Sequence, residues 1–282
     1  MKKIILISGI KGFLARNLVS LLKEDYTIIG IGKKKDDLDG VKVFESSKID
    51  DLACQPDFIV MCHAAVASGG STPSRDSLFE VNVVLTKRII NKFPNSKIIY
   101  ISSVSLYDAS TILIKEESPI YPLTEYAISK LWAEQIVLKT NNAIVFRLSS
   151  VFGMGMKENT IIPNYTNQAL KNKIIEVWGI GERKQNYIQV VDVCHYIKCG
   201  IEKFDSLKNN VLLAVSKKEF SNNELAQIIA NKTDAKIVYV NQDNSKSMQC
   251  NNDLTSKLLD WTPNDNFTVE IENYIKWKKE QF

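Results

Sequence analysis

Short apolar runs alternate with helix-length amphipathic stretches from the start of this 282-residue chain. The runs predict six strands: Lys3–Ser8, Thr27–Ile31, Val41–Phe44, Phe58–Cys62, Lys97–Ser102 and Ala143–Leu148. The intervening stretches predict helices at Phe13–Glu24, Ser77–Asn91 and Glu125–Leu138. Apolar strands joined by helices form parallel sheets that are covered on both faces, with right-handed crossovers. The pattern therefore predicts an α/β protein with a doubly wound parallel sheet, the Rossmann fold.

The rhythm changes after Phe152, where polar connections become frequent. Helices are predicted at Pro163–Lys171, Asn222–Lys232 and Val269–Lys279. We predict a dinucleotide-binding domain over residues 1–152, rejoined by a return segment at about 186–216. Residues 153–185 and 217–282 are predicted to form a smaller, partly discontinuous substrate-binding lobe.

Composition narrows the class of partner and the compartment. The chain carries 36 basic and 32 acidic residues, and this small, scattered surplus argues against nucleic acid as a partner. The five cysteines include no C-x-x-C pair, which argues against a disulfide framework. The chain has only two histidines, which argues against a metal site. The sequence has no apolar run near the roughly 18 residues of a membrane span and no adequate signal peptide. We therefore expect a cytoplasmic protein that has no membrane partner.

The first predicted strand runs into a glycine-rich turn, G-x-x-G-x-x-A, before the first helix. Gly9 permits the tight turn, and Gly12 lets the backbone approach a pyrophosphate, which the helix N-terminus binds through its N–H groups. After the fourth strand, small residues leave room for ribose and phosphates, and His63 is expected to be structural. An ordinary strand–helix turn is the alternative. The predicted cofactor-binding residues here are Gly9, Lys11, Gly12, Phe13, Leu14, Ala64 and Ala65.

Tyr126 and Lys130 are four residues apart, which places them one turn apart on one helix face. A neighbouring ammonium lowers the pKa of a tyrosine from its usual value of about 10, which yields an acid/base usable near neutral pH. Tyr274 and Lys278 have the same spacing, in what we expect to be a surface helix. Only Tyr126 follows a strand that ends in hydroxyl groups, so Tyr126 and Lys130 are the predicted functional pair.

In fixed order, these motifs resemble an extended short-chain dehydrogenase/reductase of the NAD-dependent epimerase/dehydratase family, in its nucleotide-sugar-modifying branch. The resemblance spans nearly the whole chain. Besides the glycine turn and Y-A-I-S-K, it rests on Asn82 with Thr86, S-S-V-S-L-Y from Ser102, R-L-S-S-V-F-G from Arg147, Ile162-Pro163, W-G-I-G from Trp178, V-D-V from Val191 and L-D-W-T-P from Leu259.

The resemblance implies a role for each matching position. Tyr126 would be the catalytic acid/base, and Lys130 would bind the nicotinamide ribose and tune Tyr126. The catalytic serine of the family stands four residues before the tyrosine of S-S-x-x-x-Y, which selects Ser103. Asn82 would belong to the cofactor site. The resemblance also implies a homodimer formed through the helices around Ser77–Asn91 and Glu125–Leu138.

A departure from the family bears on the cofactor. NAD-using members usually end the second strand in an acid that binds the adenosine ribose, whereas this chain has Gly32 followed by Lys33, Lys34 and Lys35. A glycine with adjacent lysines would accept a 2′-phosphate that a carboxylate would repel. We therefore predict NADP(H), with Lys33 as the phosphate contact. The alternatives are NAD(H) and a solvated turn without a specific role.

Further departures bear on the reaction. The 4,6-dehydratases of the family carry Asp-Glu directly after the catalytic residue, where this chain has Val104 and Ser105, so dehydration is disfavoured. We predict an NADPH-dependent reductase that transfers hydride to a keto group of a nucleotide-activated deoxysugar. The alternatives are a nucleotide-sugar 4-epimerase that retains NAD and a non-catalytic dinucleotide-binding sensor.

The predicted substrate site also differs from that of many relatives. Gln185-Asn186 stands where they have Arg-Asp, and Ser150 replaces a substrate-contacting asparagine. Arg183, two residues earlier, is the candidate to bind a diphosphate in place of that arginine. The predicted substrate-binding residues are therefore Ser103, Ser150 and Arg183.

Overall fold

The computed structural model describes residues 2–38, 40–66, 72–108 and 110–281. The strands in these ranges are β1 (Ile4–Ser8), β2 (Thr27–Gly32), β3 (Asp36–Leu38), β4 (Val41–Glu45), β5 (Phe58–Met61), β6 (Lys97–Ser103), β7 (Ala143–Leu148), β8 (Ser150–Phe152), β9 (Ile174–Trp178), β10 (Lys184–Gln189), β11 (Val211–Ala214), β12 (Glu219–Ser221) and β13 (Lys236–Val240). The α-helices are α1 (Phe13–Leu22), α2 (Arg75–Leu78), α3 (Leu85–Lys92), α4 (Glu125–Leu138), α5 (Ile161–Asn172), α6 (Val190–Glu202), α7 (Phe204–Leu207), α8 (Asn222–Thr233), α9 (Asp253–Leu259) and α10 (Phe267–Lys279).

The central sheet has eight strands in the order β11-β7-β6-β5-β1-β2-β4-β3. Every neighbouring pair is parallel except β3 with β4. The middle strand β1 is buried on both faces, since Ile5, Leu6 and Ile7 are inaccessible to solvent. Ile5 and Ile7 pack in the core that contains α1 and α6, whereas Leu6 packs in the core that contains α3 and α4. The predicted doubly wound parallel sheet is thus confirmed.

A smaller set of elements lies beside the carboxyl ends of these strands. It contains a three-stranded sheet, β12-β10-β8, and the parallel pair β13-β9. Strand β9 alternates, with Ile175 and Val177 buried against α5, α8 and α10. Helix α8 begins at a capping box in which Ser221 and Glu224 satisfy each other's backbone N–H groups. The domain boundaries stay a prediction, and β11, within the predicted return segment, completes the large sheet beside β7.

The helix predicted at Ser77–Asn91 differs from the observed element. The helical segment begins at Arg75, and its middle part, Phe79–Val84, is a π-helix between α2 and α3. No described helix combines the length and apolar character needed to span a membrane.

The prediction that Tyr274 and Lys278 lie on a surface helix is wrong. Tyr274 is 1% exposed because α10 packs against α5 and α8. The Lys278 stem is buried too, and its ammonium donates a 2.7 Å hydrogen bond to Glu158. A long lysine stem can pack in a core while its charged end reaches a partner near the surface.

Candidate active site

The glycine turn joins β1 to α1 and folds tightly over the carboxyl end of β2. Gly9 has φ +69°, and the N–H groups of Gly9 and Ile10 donate to the carbonyl of Ile31 at 2.9 and 3.2 Å. A Cβ atom at Gly9 would lie 2.7 Å from the Cα of His63. Gly12 directly precedes α1, and a Cβ there would lie 3.0 Å from the Gly9 carbonyl oxygen. Gly9 therefore requires glycine, whereas Gly12 has an ordinary extended backbone and leaves only a tight space for a side chain. The N-terminus of α1, which no side chain caps, stays open to an anion.

The other predicted residues of the turn have distinct surroundings. Leu14 packs against the large core, and Phe13 packs against both the large core and the core of the smaller lobe. Their contribution to a bound dinucleotide would therefore come from the backbone. Lys11 is about half exposed and forms an ion pair with Asp36. Lys33 is exposed just beyond β2. The open helix N-terminus and the glycine cradle fit a pyrophosphate.

Asn82 holds the segment that follows β5. Its Oδ1 accepts a hydrogen bond from the N–H of Ala65 at 2.8 Å, and its Nδ2 donates to the Ala65 carbonyl at 3.1 Å and to Ser129 at 2.8 Å. Ala64 and Ala65 thus line the end of β5 with small side chains at a fixed position. Both N–H bonds of the amide are used within the protein, so the predicted contact of Asn82 with the cofactor stays a prediction.

His63 is buried and bonded at both ring nitrogens. Nε2 lies 3.0 Å from the Thr86 hydroxyl, which itself donates to the Asn82 carbonyl, so Nε2 is assigned the proton. Nδ1 then accepts from Ser8 at 2.6 Å. Burial lowers the pKa of His63 to about 3. The expectation of a structural histidine is confirmed. Among the described residues, no group of three or more His, Cys, Asp or Glu side chains could hold a metal ion.

Ser103, Tyr126 and Lys130 come together at the carboxyl edge of the sheet. Ser103 ends β6, while Tyr126 and Lys130 lie in the first two turns of α4, which Thr124 caps. The Tyr126 hydroxyl lies beside the Ser103 hydroxyl, which favours the ionised phenol. The Lys130 ammonium is buried, donates to the Ile101 carbonyl at 2.6 Å and lies 4.2 Å from the centre of the Tyr100 ring.

Burial governs the protonation of both groups on α4. It raises the pKa of Tyr126 to about 12, against the opposing effect of the neighbouring Ser103 hydroxyl. It lowers the pKa of Lys130 to about 7, although the nearby Glu134 carboxylate acts in the other direction. The expected lowering of the Tyr126 pKa by Lys130 is therefore absent from this structure, because desolvation is the larger effect. Near neutral pH Tyr126 is a proton donor.

A buried ion pair between Arg147 and Glu134 lies close to Lys130, and the sequence analysis did not predict it. Arg147 on β7 donates to Glu134 through Nη2 at 2.5 Å and through Nε at 3.2 Å. Ser102 donates to the same carboxylate at 2.7 Å. Glu134 is fully buried and stands one helical turn beyond Lys130. Its spacing from Lys130 was the available signal, but the partner on β7 is distant in sequence.

The predicted substrate residues Ser150 and Arg183 line one cavity of about 610 Å³, together with Gln185, Tyr187 and Val66. Val66 follows β5, so this cavity adjoins the dinucleotide crevice. Gln185 donates to the Tyr187 hydroxyl at 3.0 Å and to Asn222 at 3.1 Å.

Asn186, the other residue at the family's Arg-Asp position, is buried and donates to the Ser216 carbonyl at 2.8 Å. Gln185 and Asn186 therefore hold the lobe together, and Arg183 is the cation among the described residues that line the cavity.

Comparison with known proteins agrees with this geometry. The sequence profile of the NAD dependent epimerase/dehydratase family matches residues 5–214. The chain belongs to this family. Its members are extended short-chain dehydrogenases/reductases that act on sugar nucleotides, so the chain is an enzyme of that type.

Three curated relatives show the range of reactions. GDP-6-deoxy-D-talose 4-dehydrogenase of Aggregatibacter actinomycetemcomitans is 25% identical over 71% of this chain and 70% of that protein. dTDP-D-glucose 4,6-dehydratase of Dictyostelium discoideum is 24% identical over 67% of this chain and 46% of that protein. dTDP-4-dehydro-6-deoxyglucose reductase of Escherichia coli is 28% identical over 38% of this chain and 36% of that protein.

Solved structures share the fold across almost the whole chain. MoeE5 in complex with UDP-glucuronic acid and NAD has a TM-score of 0.87 at 18% identity and covers 99% of both chains. UDP-glucuronic acid 4-epimerase from Bacillus cereus, in complex with UDP-glucuronic acid and NAD, has a TM-score of 0.85 at 16% identity, covering 99% of this chain and 100% of that chain.

Proposed function

We propose that this enzyme is a reductase that transfers hydride from NADPH to a keto group of a nucleotide-activated deoxysugar. The observation that carries the proposal is the juxtaposition of the Ser103 and Tyr126 hydroxyls, with Tyr126 protonated near neutral pH. A protonated phenol is suited to give a proton to the alkoxide that forms when a ketone accepts hydride. Two relatives are named for oxidation or reduction of a sugar, one as a 4-dehydrogenase and one as a 4-dehydro-sugar reductase, and they support the proposed reduction.

In the proposed mechanism the cofactor supplies the hydride, and the residues of this chain position and protonate the substrate. Ser103 and Tyr126 donate hydrogen bonds to the carbonyl oxygen and stabilise the charge that develops there. Tyr126 then transfers its proton to that oxygen. Lys130, one turn along α4, would stabilise the resulting phenolate and would bind the ribose next to the nicotinamide. Val104 and Ser105 offer no carboxylate for expelling water from the sugar.

The nucleotide-sugar part of the proposal rests on the cavity beside the crevice. Arg183 and Ser150 line it, and a guanidinium is suited to bind a diphosphate through paired hydrogen bonds. The aromatic side chains of Trp178 and Tyr239 line a neighbouring space of about 810 Å³ that Arg183 also faces. A nucleoside diphosphate that extends from the crevice past Arg183 would therefore meet both charge and aromatic surface.

A 4-epimerase that retains NAD is the second candidate, because the fold is shared with an epimerase structure that contains NAD. The two functions differ in whether the cofactor is consumed. A non-catalytic sensor is disfavoured because it would not need an acid/base such as Tyr126 beside the Ser103 hydroxyl.

The deciding experiment has two parts. The purified enzyme is denatured and the released nucleotide is identified by chromatography. NADPH and NADH oxidation are then followed at their absorbance maximum with 4-keto-6-deoxy sugars carried on GDP, dTDP and UDP. We expect little retained nucleotide and net NADPH oxidation. Retained NAD⁺, with no net oxidation of NADPH or NADH, would overturn the reductase and favour the epimerase.

We further propose a homodimer formed through α4 and the helical segment from Arg75 to Lys92. Phe79 and Trp132 contact each other across these elements, with ring centres 5.3 Å apart, yet they are 40% and 53% exposed. Ile128 on the same side of α4 is 51% exposed. An apolar surface that rests on two packed helices is suited to pairing with its own copy.

A further inference from the structure

An ion pair stands at the entrance to the predicted adenosine end of the crevice. Lys11, in the glycine turn, pairs with Asp36 on the edge strand β3. The two side chains are 48% and 47% exposed, so both can reach a ligand. The Lys11 ammonium holds the pKa of the Asp36 carboxyl below its usual value, so Asp36 is ionised near neutral pH.

The position of the pair follows from how the turn is anchored. The Ile10 side chain lies against β2, since a Cβ at Gly30 would be 2.9 Å from its Cγ1. Lys11 therefore extends from directly above the carboxyl end of β2, where Rossmann folds bind the adenosine ribose. Strand β3 turns back antiparallel to β4 and brings Asp36 to the same edge of the sheet. The carboxylate that is missing at Gly32 is thus replaced from the following hairpin.

We propose that Asp36 sets the choice between NAD(H) and NADP(H) by competing with the 2′-phosphate for Lys11. The inference rests on the dinucleotide site of the proposed function. With a free 2′-hydroxyl, Lys11 stays paired and the Asp36 carboxylate can accept a hydrogen bond from the ribose. With a 2′-phosphate, Lys11 leaves Asp36 for the phosphate, and Asp36 repels the new anion. Asp36 therefore opposes the NADP(H) preference that Lys33, Lys34 and Lys35 favour.

The test compares ADP-ribose with 2′-phospho-ADP-ribose, which differ only in the 2′-phosphate and lack nicotinamide. Each is titrated calorimetrically into the wild type, Asp36→Asn and Asp37→Asn. Loss of the Asp36 charge should raise the affinity ratio of the phosphorylated to the unphosphorylated ligand by about fivefold, the upper range for one exposed charge pair. Asp37→Asn is the matched control: it removes the same charge from the neighbouring residue, which faces the other side of the strand. Its Oδ1 can keep the 2.9 Å hydrogen bond from Gly40.

A Lys11→Ala background tests the exchange itself. Without Lys11, the gain from Asp36→Asn should fall to less than about twofold, since only direct repulsion is then relieved. Equal gains with and without Lys11 would overturn the exchange. A ratio unchanged by Asp36→Asn, or raised equally by Asp37→Asn, would overturn the role of Asp36 while leaving the dinucleotide site intact. Failure of ADP-ribose to bind the wild type would overturn that site and this inference together.

Discussion

Replacing Glu134 with glutamine tests how much the buried ion pair with Arg147 contributes to the stability of the protein. Glu134 is fully buried and Arg147 is 3% exposed. Glutamine keeps the size of the side chain but removes the charge that faces Arg147 and one of the two oxygens that accept hydrogen bonds from Arg147 and Ser102. Removing one partner of a buried ion pair leaves the other charge uncompensated, which typically costs about 3–5 kcal/mol. We expect Glu134→Gln to lower the free energy of unfolding by about that amount.

Urea titration followed by circular dichroism measures this loss, with an unchanged slope as the sign that the unfolded state is unaffected. In thermal unfolding, about 3–5 kcal/mol corresponds to a fall in Tm of about 6–20 °C for a chain of this size. Glu125→Gln is the matched control on the same helix. Its partner is the exposed Arg75, so this change should cost less than about 1 kcal/mol.

The same substitution has a second readout at Lys130. The Glu134 carboxylate raises the pKa of Lys130, which burial lowers to about 7. Without that carboxylate the pKa falls further, so Lys130 loses its proton at a lower pH. If turnover requires the Lys130 ammonium, the turnover rate should begin to fall at a lower pH in Glu134→Gln than in the wild type. In Glu125→Gln the fall in rate at alkaline pH should be unchanged. A stability loss no larger than that of Glu125→Gln, with an unmoved pH profile, would refute the reasoning.

Three further outcomes are expected. Gly12→Val should abolish cofactor binding in a fluorescence titration, because the valine side chain would occupy the space predicted for the pyrophosphate. Circular dichroism should show that the variant keeps its fold. Normal binding would mean that Gly12 has only a structural role. Tyr126→Phe should leave NADPH binding nearly intact and lower turnover by about two to four orders of magnitude. The control Tyr274→Phe should change neither NADPH binding nor turnover, since the buried Tyr274 hydroxyl has no hydrogen-bond partner among the described residues. Full activity of Tyr126→Phe would show that Tyr126 is not the proton donor. Trp132→Glu should convert the proposed dimer to a monomer in light scattering, and an unchanged mass would place any interface elsewhere.

Local sequence patterns were sufficient to predict the parallel sheet. They also predicted that Ser103, Tyr126 and Lys130 lie near one another. Helix α4 has the predicted bounds, and Thr124 caps its first turn by accepting a hydrogen bond from the Ala127 N–H. The glycine turn and the serine at the end of β6 were found because each is tied to one strand end. The residues that a strand and its following helix hold together are thus readable from a single stretch of sequence.

Contacts between distant segments were not readable in this way. The run around Asp36 has no apolar pattern, yet it forms β3, because it pairs along β4. Tyr274 and Lys278 were predicted to lie on a surface helix, and the packing of α10 on α5 and α8, which local sequence does not reveal, buries them. The pKa of Tyr126 was expected to fall because the spacing gives the position of Lys130 but not the extent of burial, which decides the sign.

The π-helical segment Phe79–Val84 has a consequence for how this chain can vary in length. A π-helical turn contains about one residue more than an α-helical turn. It therefore rotates the side chains of the preceding helix by about 100° about the helix axis, relative to those of the following helix. Deleting a single residue there would restore a continuous α-helix and would turn Phe79 away from Trp132, or Asn82 away from Ala65. Substitutions at an exposed position such as Glu80 can be absorbed, but a change of length cannot. We therefore expect sequence drift here to proceed by replacement, with insertions and deletions confined to the connections outside it.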